Sequence, residues 1–243
     1  MTFSFPPKQL QFFLTAPAPC PYLPEQVETK LFTYLSKSDG QQINDALSHV
    51  GFRRAQNIAY RPACQDCDAC KSCRIRVADF VLNKSFRRIL NKNTDIIRDV
   101  SSPVSTPEHF ALIARYLSAR HQAGGMEGMD ESDFTALVEE TSVATELVNY
   151  RDGNAQLLAS AIVDQLQDGP SLVYSFFSPK QTNRSLGLYM ILDHIARAKE
   201  TEKPYVYLGF WVQDSPKMNY KQRFQPLEIL QNQNWEEFAT KKE

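Results

Sequence analysis

Between Val143 and Trp211, hydrophobic periodicity and turn signals leave few folds open to this chain. Val143 to Tyr150 reads as a strand, Arg151-Asp-Gly-Asn154 as a tight hairpin turn, and Ala155 to Gln165 as the return strand. Gln167-Asp-Gly-Pro170 marks another turn, and Leu172 to Phe177 a third strand. A polar loop at 178–185 precedes a helix from about Leu186 to Lys199, and Tyr205 to Trp211 is a further strand. Three antiparallel strands, a glycine-bearing loop, a helix and a strand make an α+β arrangement with a mixed sheet and flanking helices.

Upstream the signals are sparser. Residues 1–20 are proline-rich and read as extended. Glu25 to Leu35 alternates at Val27, Thr29, Leu31, Thr33 and Leu35 and reads as a strand. Gln41 to His49 reads as a short helix stopped by Gly51. A cysteine-rich loop covers 61–73, and Arg74 to Phe80 alternates again as a strand. Ser85 to Lys92 opens a basic helix: Lys84, Arg87, Arg88 and Lys92 share one face, while Phe86, Ile89 and Leu90 turn away. Ser101-Ser-Pro-Val-Ser-Thr-Pro107 is the best boundary candidate. It divides the chain into an N-terminal cysteine-containing domain, 1–100, and a C-terminal domain, 101–243. Thr106 suits an N-cap and Pro107 a first helical position. Phe110, Ile113, Ala114 and Leu117 then mark an amphipathic helix ending near His121. A loop rich in Gly and Met, 123–130, leads to a second helix at about 132–141.

With 42% hydrophobic and 23% charged residues in 243, the chain is expected to be globular and not disordered. No apolar run approaches the roughly 18–20 residues of a membrane span, and Met1 to Leu14 resembles no secretory signal. The expectation is a cytoplasmic protein with no membrane partner, its five cysteines reduced. Net charge is −1, yet Arg53 to Arg98 holds eleven Lys and Arg against four Asp. That local excess suits a polyanionic partner, or serves only solubility.

Three motifs carry chemistry. The aromatic run Tyr205 to Trp211 passes into a polar loop bearing Asp214, Lys217, Tyr220 and Lys221, so a rigid strand delivers cations and phenols to one place. Cys64, Cys67, Cys70 and Cys73 repeat at C-x2-C spacing, and Cys20 lies far upstream. Such spacing lets thiolates converge on zinc or an iron–sulfur cluster. Three cysteines of the run plus Cys20 make an easier ligand set, because one tight run rarely supplies all four; the alternative is a group of reduced thiols. The loop Arg184-Ser-Leu-Gly187-Leu-Tyr189 opens the later helix, and its N-terminus suits an anion through Arg184, Ser185 and Gly187, or is simply a cap.

The order of elements is similar to the acyltransferase fold of the N-acetyltransferase superfamily. Coenzyme-A-dependent members carry Gln/Arg-x-x-Gly-x-Gly/Ala at this loop, and Tyr189 departs from the last position, which argues against ordinary coenzyme A binding. The strings Cys20-Pro-Tyr-Leu-Pro24, Gly51-Phe-Arg-Arg54, Tyr60-Arg-Pro-Ala-Cys-Gln-Asp-Cys-Asp-Ala-Cys70, Arg184 to Tyr189, and Tyr205 to Leu227 with Pro216-Lys-Met-Asn-Tyr-Lys221 narrow the match. Together they resemble the aminoacyl-tRNA–protein transferases of the N-degron pathway, and most closely the bacterial aspartate/glutamate leucyltransferase branch. They spread over roughly residues 14–230. Cys73 lies beyond the cysteine pattern of that family.

The resemblance implies transfer of leucine from leucyl-tRNA to the α-amine of a protein beginning with Asp or Glu, which creates a degradation signal. Related enzymes transfer arginine. The reaction is aminolysis of an ester by an amine of pKa about 7.7–8.0, so no metal, cofactor or covalent nucleophile is required. It needs positioning, an oxyanion donor and a proton route. Tyr174, Tyr207 and Asp214 are the candidate relays; the alternative for the tyrosines is core packing, and for Asp214 a turn. Arg76, Arg184, Lys217 and Lys221 are candidates for the substrate's acidic side chain, with Ser185, Gly187 and Tyr220 beside them. Lys84, Arg87, Arg88 and Lys92 are the supply of charge for tRNA. None of the four histidines reads as a catalytic base.

Overall fold

The computed structural model describes residues 10–120 and 128–238. In chain order the elements are β1 (Phe13–Leu14), β2 (Ala18–Pro19), β3 (Val27–Glu28), β4 (Lys30–Tyr34), α1 (Gly40–His49), β5 (Arg53–Ala55), β6 (Ile58–Pro62), β7 (Cys70–Arg76), α2 (Lys84–Asn91) and β8 (Ile97–Ser101). They continue with α3 (Pro107–Arg120), α4 (Glu131–Glu139), β9 (Thr145–Arg151), β10 (Leu157–Leu166), β11 (Gly169–Phe177), α5 (Leu186–Glu200), β12 (Tyr205–Val212), β13 (Leu227–Gln231) and β14 (Asn234–Glu237).

The central sheet has eight strands in the order β14-β13-β7-β12-β11-β10-β9-β8, and β11–β12 is its parallel pair. The meander β9-β10-β11 follows from the two tight turns, and α5 is the crossover that makes β12 parallel to β11. All of β10 but Gln165 is buried, because helices cover both faces of the sheet. One core layer packs α3 and α4 through Leu112, Ile113, Phe134 and Val138 onto Leu147, Ile162 and Phe176. On the other face α2 and α5 bring Phe86, Ile89, Ile191 and Ile195 onto Ile75, Val206 and Leu227. A small sheet, β1-β4-β6-β5, is built from the N-terminal region.

The mixed α+β architecture with flanking helices holds as expected, and two local readings need correcting. The strand expected at Arg74 to Phe80 is Cys70–Arg76. It lies between β12 and β13, with Ser72 to Ile75 buried one after another, so its burial does not alternate and its start was hidden in the cysteine run. The cysteine loop shortens accordingly to 63–69. Most of the loop expected at 123–130, and His121, lie outside the described residues.

Candidate active site

The ladder between β11 and β12 has one paired position, Ser171 with Tyr207. Past it, carbonyls of both strands go to cations. Arg53, at the start of β5, donates from Nη2 to the carbonyls of Leu172 and Val173 at 3.0 Å each. Its guanidinium carbon stands 5.6 Å from the centre of the Phe210 ring. Gly209 sits at a register shift in β12 with φ +74°, and a Cβ there would lie 2.2 Å from that guanidinium carbon. Only glycine allows both the backbone turn and the close approach.

Lys221 enters the same place from the helical turn Pro216–Arg223. It is buried, and its Nζ donates to the carbonyls of Leu208 at 2.8 Å and Phe210 at 2.5 Å. Desolvation pulls its pKa down to about 8, with the Arg53 charge acting in the same direction and Cys73 opposing. Two cations therefore share the split, and among the described residues no carboxylate hydrogen-bonds or ion-pairs with either.

Phenols gather nearby. Tyr220 has its ring centre 5.9 Å from Lys221 Nζ. Desolvation raises its pKa, as does Cys73, while Arg53 lowers it and Tyr116 adds a smaller rise. Tyr174, half-buried on β11, is raised by desolvation and then by Tyr116. Tyr116 of α3 packs on Phe177 with ring centres 4.9 Å apart. A Cβ on Gly187 would meet the Phe177 ring at 3.1 Å, so glycine lets the start of α5 close against the end of β11.

Other expected site residues lie elsewhere or already have partners. Tyr207 is not free in the split: its hydroxyl donates to Asp168 at 2.8 Å and accepts from Arg74 at 3.2 Å. Asp214 is exposed, with φ +61°, in the turn after β12. Lys217 is exposed. Arg184 holds Asp95 with two hydrogen bonds, 2.7 and 2.8 Å, which depress the Asp95 carboxyl. Arg76 bonds Asp79, Glu228 and Glu237 and is raised, first by Asp79. Ser185 adopts the left-handed conformation at φ +53° and makes no capping bond through its side chain. Tyr189 sits edge-on to Tyr150 at 5.8 Å, so its ring packs inward and is not simply a plug at the loop.

Lys84, Arg87, Arg88 and Lys92 are exposed on and just past α2, and Lys92 reaches the Asn183 carbonyl at 3.3 Å. Asn93 donates to the Arg184 carbonyl at 2.9 Å, fixing this basic helix beside the loop that opens α5. Cys20, Cys64, Cys67 and Cys70 line one cavity of about 860 Å³. Burial pushes the Cys70 thiol up to about 12, and the other three thiols push the same way. Among the described residues no three His, Cys, Asp or Glu stand close enough to hold a metal ion, so the thiols surround the cavity without forming a ligand set.

Arg53 and Tyr116 were not singled out from the sequence. An isolated Gly209 inside an aromatic strand is the one local sign that something must approach the backbone there.

A meander, a glycine-bearing loop, a crossover helix and a parallel strand whose carbonyls meet two cations make up the site. Family models described as arginine-tRNA-protein transferase match residues 18–88, its N terminus, and 108–231, its C terminus. The aspartate/glutamate leucyltransferase of Phenylobacterium zucineum is 51% identical over 240 residues, covering 97% of this chain and 93% of that one. That of Caulobacter vibrioides is 52% identical, covering 97% and 86%. A solved structure, that of L-PGS from Bacillus licheniformis, is 14% identical with TM-score 0.45, covering 58% of this chain and 45% of that one. The chain belongs to the arginine-tRNA-protein transferase family and is an aminoacyltransferase.

Proposed function

We propose that this enzyme transfers leucine from leucyl-tRNA to the α-amine of proteins whose first residue is Asp or Glu. The observation that carries the reading is the identity of about half of all positions, over nearly the full length, to relatives named for that activity. The product bears a bulky N-terminal residue and serves as a degradation signal. The split between β11 and β12 supports the reading: Arg53 and Lys221 bring two cations without carboxylate partners there, and the phenols of Tyr174 and Tyr220 lie nearby. In this reading Tyr174, with Tyr220 beside it, passes the proton between amine and leaving oxygen. The basic face of α2 adjoins the loop before α5 and serves the tRNA. A cytoplasmic site of action is part of this reading, since charged tRNA is held there and thiols stay reduced.

We further propose zinc or an iron–sulfur cluster at Cys20, Cys64, Cys67 and Cys70, which requires their two loops to draw together. No step of the transfer runs through it. Metal analysis and an absorption spectrum of anaerobically purified protein test this part.

For the reaction, the protein is incubated with leucyl-tRNA, arginyl-tRNA or acetyl-coenzyme A and a peptide beginning with Asp. Leucine on the peptide is the expected result. Acetylation, arginine transfer alone, or no transfer from either tRNA overturns it.

A further inference from the structure

Apart from the pair in the split, the buried arginines among the described residues have carboxylates of their own. Arg54 holds Asp164, and Arg74 holds Glu228. Arg76, Arg98, Arg151, Arg184 and Arg197 are each ion-paired as well. Arg53 and Lys221 instead donate to backbone carbonyls and stand near the Phe210 and Tyr220 rings, with no carboxylate partner among the described residues. A guanidinium has five donors and an ammonium three. Arg53 uses the two of Nη2 on β11, and among the described residues Nε and Nη1 have no hydrogen-bond partner. Lys221 keeps one donor beyond its two carbonyls.

Lys221 is buried and Arg53 half-buried, so two like charges share a poorly hydrated opening, which is costly unless an anion joins them. Burial and the Arg53 charge both oppose the charge on Lys221, which fits a site completed by a negative ligand. The guanidinium fork also matches a carboxylate in shape.

On the reading that this is a leucyltransferase for acidic N-termini, we propose that Arg53, seconded by Lys221, receives the side-chain carboxylate of the substrate's first residue. Arg76 and Arg184 are then structural, because their carboxylate partners already occupy them. The placement also suits the chemistry. In Asp or Glu the carboxylate is only a few bonds from the α-amine, so fixing it in the split also holds the amine beside the split. An acidic side chain is thus selected by the same interaction that positions the nucleophile. Asn and Gln match in size but leave the cation pair uncompensated, a larger penalty than the loss of a hydrogen bond alone.

The test compares peptides that begin with Asp or Asn and otherwise match, using leucyl-tRNA as donor. In Arg53→Gln, kcat/KM for the Asp peptide is expected to fall roughly 10- to 100-fold, the range of a lost charge-assisted bond. The Asp-over-Asn preference should shrink with it, and the KM for leucyl-tRNA should stay unchanged. Arg53→Lys keeps the charge without the fork and should fall between. A raised KM for leucyl-tRNA with the Asp preference intact would mean that the pair holds a tRNA phosphate, and overturns the proposal. A uniform loss of kcat with unchanged preference would make Arg53 purely structural and overturns it too. If the variants do not fold, phenylglyoxal labelling of wild-type Arg53, read by mass spectrometry, decides. Protection by the Asp peptide but not the Asn peptide supports the proposal, and equal protection by both, or by neither, sinks it. Absence of leucine transfer by the wild-type enzyme is a separate failure, that of the parent reading.

Discussion

Arg53 and Arg54 are sequence neighbours with opposite electrostatic surroundings. Arg54 forks onto Asp164 at 2.6 and 2.7 Å, each side chain 1% exposed, and Thr145 adds a third bond to that carboxylate at 2.9 Å. Breaking such a pair leaves one charge buried alone. Asp164→Ala is therefore expected to cost about 3–5 kcal/mol, measurable as a lower urea midpoint with unchanged slope. Lys221 gives a second, pH-dependent signature. The unfolded chain holds this proton up to about 10.5 and the folded chain only to about 8. Between those values the unfolded state binds more protons, so stability attributable to Lys221 rises with pH; below about 8 its full cost is present. Relative to Lys221→Met, wild type should gain stability between pH 8 and 10.5 in urea unfolding. A constant difference across that range would show that the lysine is not desolvated.

Elements differ in how far the sequence foretold them. The strands from 145 to 177 were legible because tight turns of Asp-Gly type bracket them, and α5 because its apolar residues keep helical spacing. β7 was misplaced by four residues, since a strand flanked on both edges and covered on both faces loses its alternation. The sequence offers the Lys221 loop as a source of cations, but the place of Lys221 depends on carbonyls brought in by folding. Arg53 entered only as part of the string Gly51-Phe-Arg-Arg54 and was given no task, because its partners lie 119 and 120 residues away and nothing beside it marks them. For α2 the sequence was enough to make a testable claim: Phe86 and Ile89 anchor it, leaving Lys84, Arg87 and Arg88 in solvent. Changing these three to Gln should leave folding and peptide KM intact and raise the KM for leucyl-tRNA. The slope of log affinity against log salt should flatten by about one for each phosphate that is no longer neutralised. An unchanged slope would remove α2 from the tRNA path.

At the scale of the whole molecule, the boundary near residue 100 divides the sequence more cleanly than the structure. β7 is threaded between β12 and β13, so a strand from the N-terminal region completes the sheet of the C-terminal one. α2 then covers it, and Arg53, Arg54 and Gln41 bind the small sheet and α1 to β10 and β11. We propose that 1–100 and 101–243 are sequence modules of a single folding unit. A fragment of 101–243 loses Ile75, Val77, Phe86 and Ile89 from one core layer. At about 1.5–3 kcal/mol for each such side chain, that loss is on the order of a domain's entire net stability. It also strips the edges of β12 and β13, inviting aggregation. The fragment is expected to lack a cooperative thermal transition by circular dichroism, and mixing it with separately produced 1–100 should restore one together with leucine transfer. A cooperative transition from 101–243 alone would establish two autonomous domains and shift the role of β7 from folding to assembly.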